Sequence, residues 1–129
     1  MLIIEMMKNL LYVMLGGAVG AALRYLVGLL CAHFRWTTFP ISTFFVNIIG
    51  CFLLGMLMAF GEKFTNFSGS TYLMLTVGLC GAFTTFSTFT ADTFSLIENG
   101  QWYWAVLYLT LSVVVGFVLF YIGKKLMAL

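Results

Sequence analysis

Residues 78–90 read Gly78-Leu79-Cys80-Gly81-Ala82-Phe83-Thr84-Thr85-Phe86-Ser87-Thr88-Phe89-Thr90. Two glycines followed by five hydroxyl residues within seven positions make a poor helix. Glycine loses the most backbone entropy, and threonine is stiff at χ1. Yet the segment sits inside Thr71–Ala91, an uncharged apolar stretch of the roughly 20 residues that a bilayer span requires. A helix interrupted there leaves carbonyls without N–H partners at mid-membrane. Such backbone is tolerated only where protein buries it or a cavity or ion satisfies it. Freed carbonyls are hard oxygen ligands, suited to a small cation. The plainer alternative is a bent helix whose threonine hydroxyls satisfy its own backbone.

Three further spans flank this one: Leu10–Ala32, Phe39–Gly61 and Trp102–Gly123. The expected fold is an all-α integral membrane protein with four transmembrane helices, the third broken near its middle. Residues 1–129 are expected to form a single four-helix membrane domain, with spans at 10–32, 39–61, 71–91 and 102–123. An even number of spans puts both termini on one side. Composition agrees: 63% of the 129 residues are hydrophobic and 8% charged, against roughly 25% charged in a soluble domain. Mean hydropathy is +1.10. A soluble domain of this size cannot hide so much apolar surface. A net charge of +2 with a single His also argues against nucleic-acid binding and against most hydrolytic or metal-centred enzymes. Trp36, Trp102, Tyr103 and Trp104 fall at span edges, where amphipathic rings favour the interface. The first apolar run is too long for a secretory signal and is expected to stay as a helix. Cys31, Cys51 and Cys80 form no CxxC or Cys–His cluster and read as small apolar side chains, and His33 as a plain interfacial residue.

The polar groups inside the spans carry the functional reading. Arg24 is the one charge within a span. It either snorkels to the interface or faces an aqueous vestibule and attracts anions. No span has an acid at its middle, which counts against cation and proton antiporters. Gly16, Gly20, Arg24 and Gly28 lie four apart on one helix face, suited to close packing within the chain or against a second copy. Thr43 and Asn47 share a face of the second span, and a buried amide must find a partner there. Its NH₂ can donate to an anion or to another side chain. Tyr108 and Ser112 share a face of the fourth span, with Gly116 a turn further. Phe86 and Phe89 share a face whose ring edges are positive and could support a desolvated anion, although packing is the plainer role. Thr88 and Asp92 lie on one face near the water.

Three motifs in order resemble the Fluc (CrcB) family of bacterial fluoride channels: Gly16-Gly17-x-x-Gly20-Ala21-x-x-Arg24-Tyr25, Thr43-x-x-Val46-Asn47-x-x-Gly50-x-Phe52-x-x-Gly55, and Gly78-x-x-Gly81-x-x-Thr84-Thr85-Phe86-Ser87-Thr88-Phe89. The resemblance covers nearly the whole chain, and the Thr-Thr-Phe-Ser-Thr-Phe run is its most specific part. It implies a bacterial plasma-membrane protein that assembles as an antiparallel, dual-topology homodimer. Two fluoride pores and a central, structural sodium ion would go with that assembly. The sodium ligands would be the backbone carbonyls of Gly81 and Thr84. Phe86 and Phe89 would be the pore phenylalanines and Asn47 the pore amide. Thr43 would lie beside the same pore, and Tyr108 and Ser112 on its polar track. Thr88 and Asp92 would sit by an entrance and Arg24 in a vestibule. The chain departs from many relatives in carrying Asp92 where Glu is common, and Gly116 where the polar track often has a third hydroxyl.

A strongly hydrated anion crosses a narrow path by exchanging water for fixed donors that do not trap it. No nucleotide motif or intramembrane acid supplies an energy source, so passive export of cytoplasmic fluoride is the expected function. A small multidrug transporter is an alternative, but it needs a membrane-embedded Glu where this chain has Arg24. A structural membrane subunit is another. The charge pattern is uneven. Lys8, Lys63, Lys124 and Lys125 lie on the side of the termini and second loop. Arg35 lies opposite, joined by Arg24 if it snorkels. Such a bias favours one orientation, so pairing with an oppositely biased homologue stands as an alternative to the homodimer.

Overall fold

In a computed structural model of the chain, the described residues are 1–33, 38–64, 66, 67 and 69–128. Arg35 and Trp36 lie outside them. Four helices are long and apolar enough to cross a membrane, and no strand occurs among the described residues. The first is α1 (Leu2–Ala32) and the second α2 (Ile41–Lys63). The third crossing, Ser70–Glu98, is composite. It opens as α3 (Ser70–Leu73), widens into a π-helix (Met74–Cys80), and closes its first half with α4 (Gly81–Phe83). Its second half is α5 (Phe86–Glu98). The fourth is α6 (Trp102–Ala128). The protein is a multi-pass membrane protein with its third helix broken, as the sequence predicts.

The ends differ from expectation. Leu2, Ile3, Ile4, Met6 and Met7 are apolar, so α1 starts at Leu2 rather than Leu10. The third crossing runs past Ala91 to Glu98, where it stops at a glycine cap. Gly100 takes φ 73, its N–H donates to Ile97 O at 2.9 Å, and Gln101 N–H donates to Leu96 O at 2.8 Å. This pair of bonds satisfies carbonyls that a helix end leaves open.

The helices pack as two tight pairs: α1 on the first half of the third crossing, and α2 on α6. Lipid tails are as apolar as leucine, so close van der Waals contact rather than the hydrophobic effect holds such pairs. Glycines supply it. A Cβ on Gly16 or Gly20 would overlap the carbonyl oxygens of Met74 or Leu79, and one on Gly55 or Gly123 those of Phe120 or Phe52. The Gly16–Gly20 face is therefore spent inside the chain. Near the start of α6, Leu96, Ala105 and Tyr108 are buried among Phe39, Phe44 and Phe89. Phe39 meets Tyr108 edge-to-face at 5.4 Å. The outer surface is apolar, with Leu26, Val114 and Phe117 at least half exposed.

Candidate functional site

The break falls at two extended residues, Thr84 (φ −81, ψ 159) and Thr85 (φ −152, ψ 118). Gly81 is not itself the break, because its φ −63 and ψ −38 are helical. Asn47, from the facing α2, grips Thr85 at both ends of its backbone. The amide Nδ2 donates to Thr85 O at 3.1 Å, and Thr85 N–H donates to Oδ1 at 2.8 Å. The Thr85 hydroxyl then caps α5: Oγ1 accepts from Thr88 N–H at 3.2 Å and donates to Thr88 Oγ1 at 3.0 Å. Thr84 closes the other half, where its N–H and its hydroxyl both donate to Cys80 O at 3.0 Å. Gly50 makes room for it, since a Cβ there would overlap Thr84 Cγ2.

These bonds decide what the break exposes. In an uninterrupted helix each N–H serves the carbonyl four residues earlier. Thr85 N–H would serve Gly81 O, and Thr88 N–H would serve Thr84 O. Both donors are diverted, one to Asn47 and one to Thr85 Oγ1. The carbonyls of Gly81 and Thr84, the two positions the sequence reading singles out, are thereby released from the helix ladder. A cavity of about 280 Å³ lies beside them, lined in part by Asn47, Thr76, Gly81, Thr84 and Phe86. The segment is more than a bent helix, although the hydroxyls of Thr84 and Thr85 do bond backbone as the plainer alternative requires.

Past the break, Phe86 and Phe89 lie with ring centroids 5.9 Å apart. Phe86 is 79% exposed, whereas Phe89 is half-buried and packs against Tyr108 with centroids 5.0 Å apart and rings tilted by 52°. Thr88 is exposed on the same first turns of α5. Asp92, expected at an entrance, is part-buried and engaged. Thr43 Oγ1 donates to its Oδ2 at 2.6 Å, and Tyr108 OH to the same oxygen at 3.4 Å. The structure thus joins three residues from α2, α5 and α6 that spacing alone kept apart. Ser112, one turn beyond Tyr108, is not joined to them. Its Oγ is buried without a hydrogen-bond partner among the described residues. Arg24 is half-buried on α1, one turn past Gly20. Among the described residues the ion pair is Lys124–Glu62 at 2.9 Å, on the surface and away from this cluster. Sequence reasoning did not single out Thr85 as a site residue. A hydroxyl at the start of a helix is an N-cap pattern, but the run offers several hydroxyls and does not mark which of them starts the helix.

Three long apolar helices beside a discontinuous fourth, with a capped break at its middle and paired phenylalanines past it, define a small multi-pass transport protein. A family model described as CrcB-like protein, Camphor Resistance (CrcB), matches residues 11–124, and the chain belongs to this family. Similar proteins include the "Fluoride-specific ion channel FluC" of Oceanobacillus iheyensis, 46% identical over 93% of this chain and 92% of that protein. The protein of the same name from Chloroflexus aurantiacus is 43% identical over 93% of this chain and 95% of its own. That of Shewanella woodyi is 40% identical over 93% and 96%.

Proposed function

We propose that the chain is a fluoride channel of the bacterial plasma membrane, passing the anion passively out of the cytoplasm, and not an enzyme. The observation that carries this reading is the capped break at Thr84–Thr85, held by Asn47, in a chain whose relatives bear the name of fluoride-specific channels. Donors for the route past the break would be the hydroxyls of Thr88 and Ser112 and the second amide N–H of Asn47, with Thr43 and Tyr108 beside them but giving their hydroxyl protons to Asp92. Fixed hydroxyl and amide donors replace part of the water that a small anion must shed. Phe86 and Phe89 supply weak, positive ring edges that do not hold it. Arg24 and Asp92 set the charge near the two ends of this route.

The released carbonyls of Gly81 and Thr84 fit a structural sodium ion, a hard cation that takes oxygen ligands without needing a charged side chain. When bound, the ion supplies positive charge where the backbone dipoles of the break converge. The assembly in this reading is an antiparallel homodimer of dual topology. In one copy Phe86 is exposed and Gly81 opens on the surface beside the cavity, so a second copy completes both the pore wall and the metal site. The Lys-rich end argues for one orientation, and pairing with an oppositely biased homologue is the other arrangement.

Fluoride efflux from liposomes holding the purified chain tests the function. Efflux of fluoride but not of chloride supports a selective channel, and no efflux defeats it. For the assembly, a location reporter on the C-terminus of the chain expressed alone should read on both sides of the membrane. A purely cytoplasmic signal, with no efflux from the single chain, defeats the homodimer.

A further inference from the structure

The two tight helix pairs leave a cleft where α2 faces the first half of the third crossing. It holds a cavity of about 440 Å³. Leu53, Leu57 and Phe60 of α2, Leu75 and Cys80 of the third crossing and Met127 of α6 line it, and Phe67 reaches it from the loop after α2. No lining residue is charged or carries a hydroxyl or an amide. All of those named except Cys80 are half-buried, so the cavity opens on the outer, lipid-facing surface. This is not the face of the pore. Leu53, Leu57 and Phe60 lie roughly 120° around α2 from Asn47, Cys51 and Leu54, which line the cavity at the break.

The inner end of the cleft is Cys80, whose carbonyl accepts from Thr84 N–H at the break. Its outer end is at Phe60 and Phe67, which meet edge-to-face at 4.8 Å. Leu53 to Phe60 covers roughly 10 Å of helix. Spread over that length, about 440 Å³ leaves a section of roughly 40 Å², well below that of a helix about 10–12 Å wide. A second transmembrane helix does not seat in such a slot, whereas an extended hydrocarbon chain does. Basic residues stand just past the outer end. Lys63 is exposed about one turn beyond Phe60. Lys124, about one turn before Met127, pairs with Glu62 at 2.9 Å, and Lys125 beside it is exposed. Three ammonium groups thus meet one carboxylate at the joined ends of α2 and α6.

We propose that this cleft binds an anionic phospholipid, with one acyl chain along the wall from Phe60 to Cys80 and the phosphate at Lys63 and the neighbouring lysines. Basic sites between transmembrane helices take anionic headgroups, and lysine reaches the interface on its long apolar stem. The bound chain fills the gap between the helix pairs. It also touches Cys80, which lines the cavity at the break as well, so the lipid backs the broken segment. The inference needs the membrane fold and not the fluoride reading.

The test uses the full chain in phosphatidylcholine liposomes with a trace of phosphatidylglycerol that carries a photoactivatable diazirine on one acyl chain. After illumination, peptide mapping should place most adducts on cleft residues such as Leu53, Leu57 and Met127, rather than on the lipid-facing Leu26 and Val114. A phosphatidylcholine probe with the same chain should label the cleft about fivefold less, the scale of one lysine near an anionic headgroup. Replacing both Lys63→Gln and Lys125→Gln should remove that preference. Leu57→Trp fills the cleft and should abolish its labelling by either lipid while circular dichroism stays unchanged. The inference is overturned by adducts spread evenly over the outer surface, by equal labelling from the two headgroups, or by a preference that survives loss of both lysines. An unlabelled cleft also overturns it, the outcome expected if a second copy covers this face. If Leu57→Trp does not fold, the headgroup comparison in the unaltered chain decides the matter.

Discussion

Replacing Asn47 with alanine should unfasten the break. The amide makes two bonds to Thr85, at 3.1 and 2.8 Å, and alanine removes both. In water the net loss per bond would be about 1 kcal/mol. At a dry site the groups left behind cost more, about 1–3 kcal/mol for each unpaired N–H or carbonyl. Relaxation returns part of this, because Thr85 N–H can swing back to Gly81 O and restore a helical bond. The Thr85 carbonyl, as that of the N-cap residue, keeps the first N–H of α5 as a donor. The expected net loss is therefore about 1–3 kcal/mol, the lower figure being roughly fivefold in the folding equilibrium. Reversible unfolding in mixed micelles with increasing sodium dodecyl sulfate should read it. A second signature separates this from generic damage. Once Gly81 O is re-engaged it could no longer serve the proposed sodium ion, so any stabilisation of the unaltered protein by sodium over potassium should vanish in Asn47→Ala. A variant within about 0.5 kcal/mol of the parent, the scale of an ordinary surface substitution, and with its sodium response intact, would refute the view that α2 holds the break.

Phe86→Ile should sharply reduce fluoride efflux while leaving the fold of one copy unchanged, because Phe86 is 79% exposed. Phe89→Ile should reduce efflux and also cost stability through its lost ring contact with Tyr108. Efflux rates beside melting curves check both, and normal efflux from each would remove the rings from the pathway. Gly20→Ala forces a methyl group onto the Leu79 carbonyl and should destabilise by about 1–3 kcal/mol, the usual range for overpacking. Gly81→Ala, whose nearest neighbour is Thr76 O at 3.9 Å, should fold normally, and thermal unfolding of the pair in one detergent tests the contrast. Thr43→Val deletes the 2.6 Å donor to Asp92 and should cost about 1.5–3 kcal/mol, the range for hydrogen bonds to charged groups. Equal stability of Thr43→Val and the parent would mean that Asp92 finds its partner elsewhere.

Composition and apolar run length made the four crossings legible, and the hydroxyl-rich run after Gly81 located the broken one. Run length could not place the helix ends, because flanking apolar residues such as Leu2–Ile4 continue a helix beyond the bilayer's needs. Glycine spacing revealed a close-packing face on α1 but not its partner. Whether Gly16 and Gly20 meet the same chain or another depends on tertiary packing, and here they meet Met74 and Leu79. The sequence marked Asn47 as a buried amide in need of a partner, and the structure supplies one in the Thr85 backbone. Thr43, Asp92 and Tyr108 were each visible as polar positions. Their meeting was not, because it depends on how α2, α5 and α6 come together. Thr85 was missed for a simpler reason: within a run of hydroxyl residues, the one that caps is distinguished only by where the chain stops being helical.

The grip of Asn47 on Thr85 also carries a consequence for biogenesis. The third crossing does not contain the means to stay broken, since one of the two diverted donors is satisfied by a side chain on α2. Released into lipid alone, that segment would favour a continuous helix, the form that leaves the fewest backbone groups without partners. The second crossing leaves the ribosome earlier, so its amide is already in the membrane when residues 84 and 85 arrive. Order of synthesis thus matches order of need: the third segment can enter as an ordinary helix and acquire its interruption only on docking beside its predecessor. A permuted chain that delivers α2 last would present the insertion machinery with an unbroken span that must be opened afterwards.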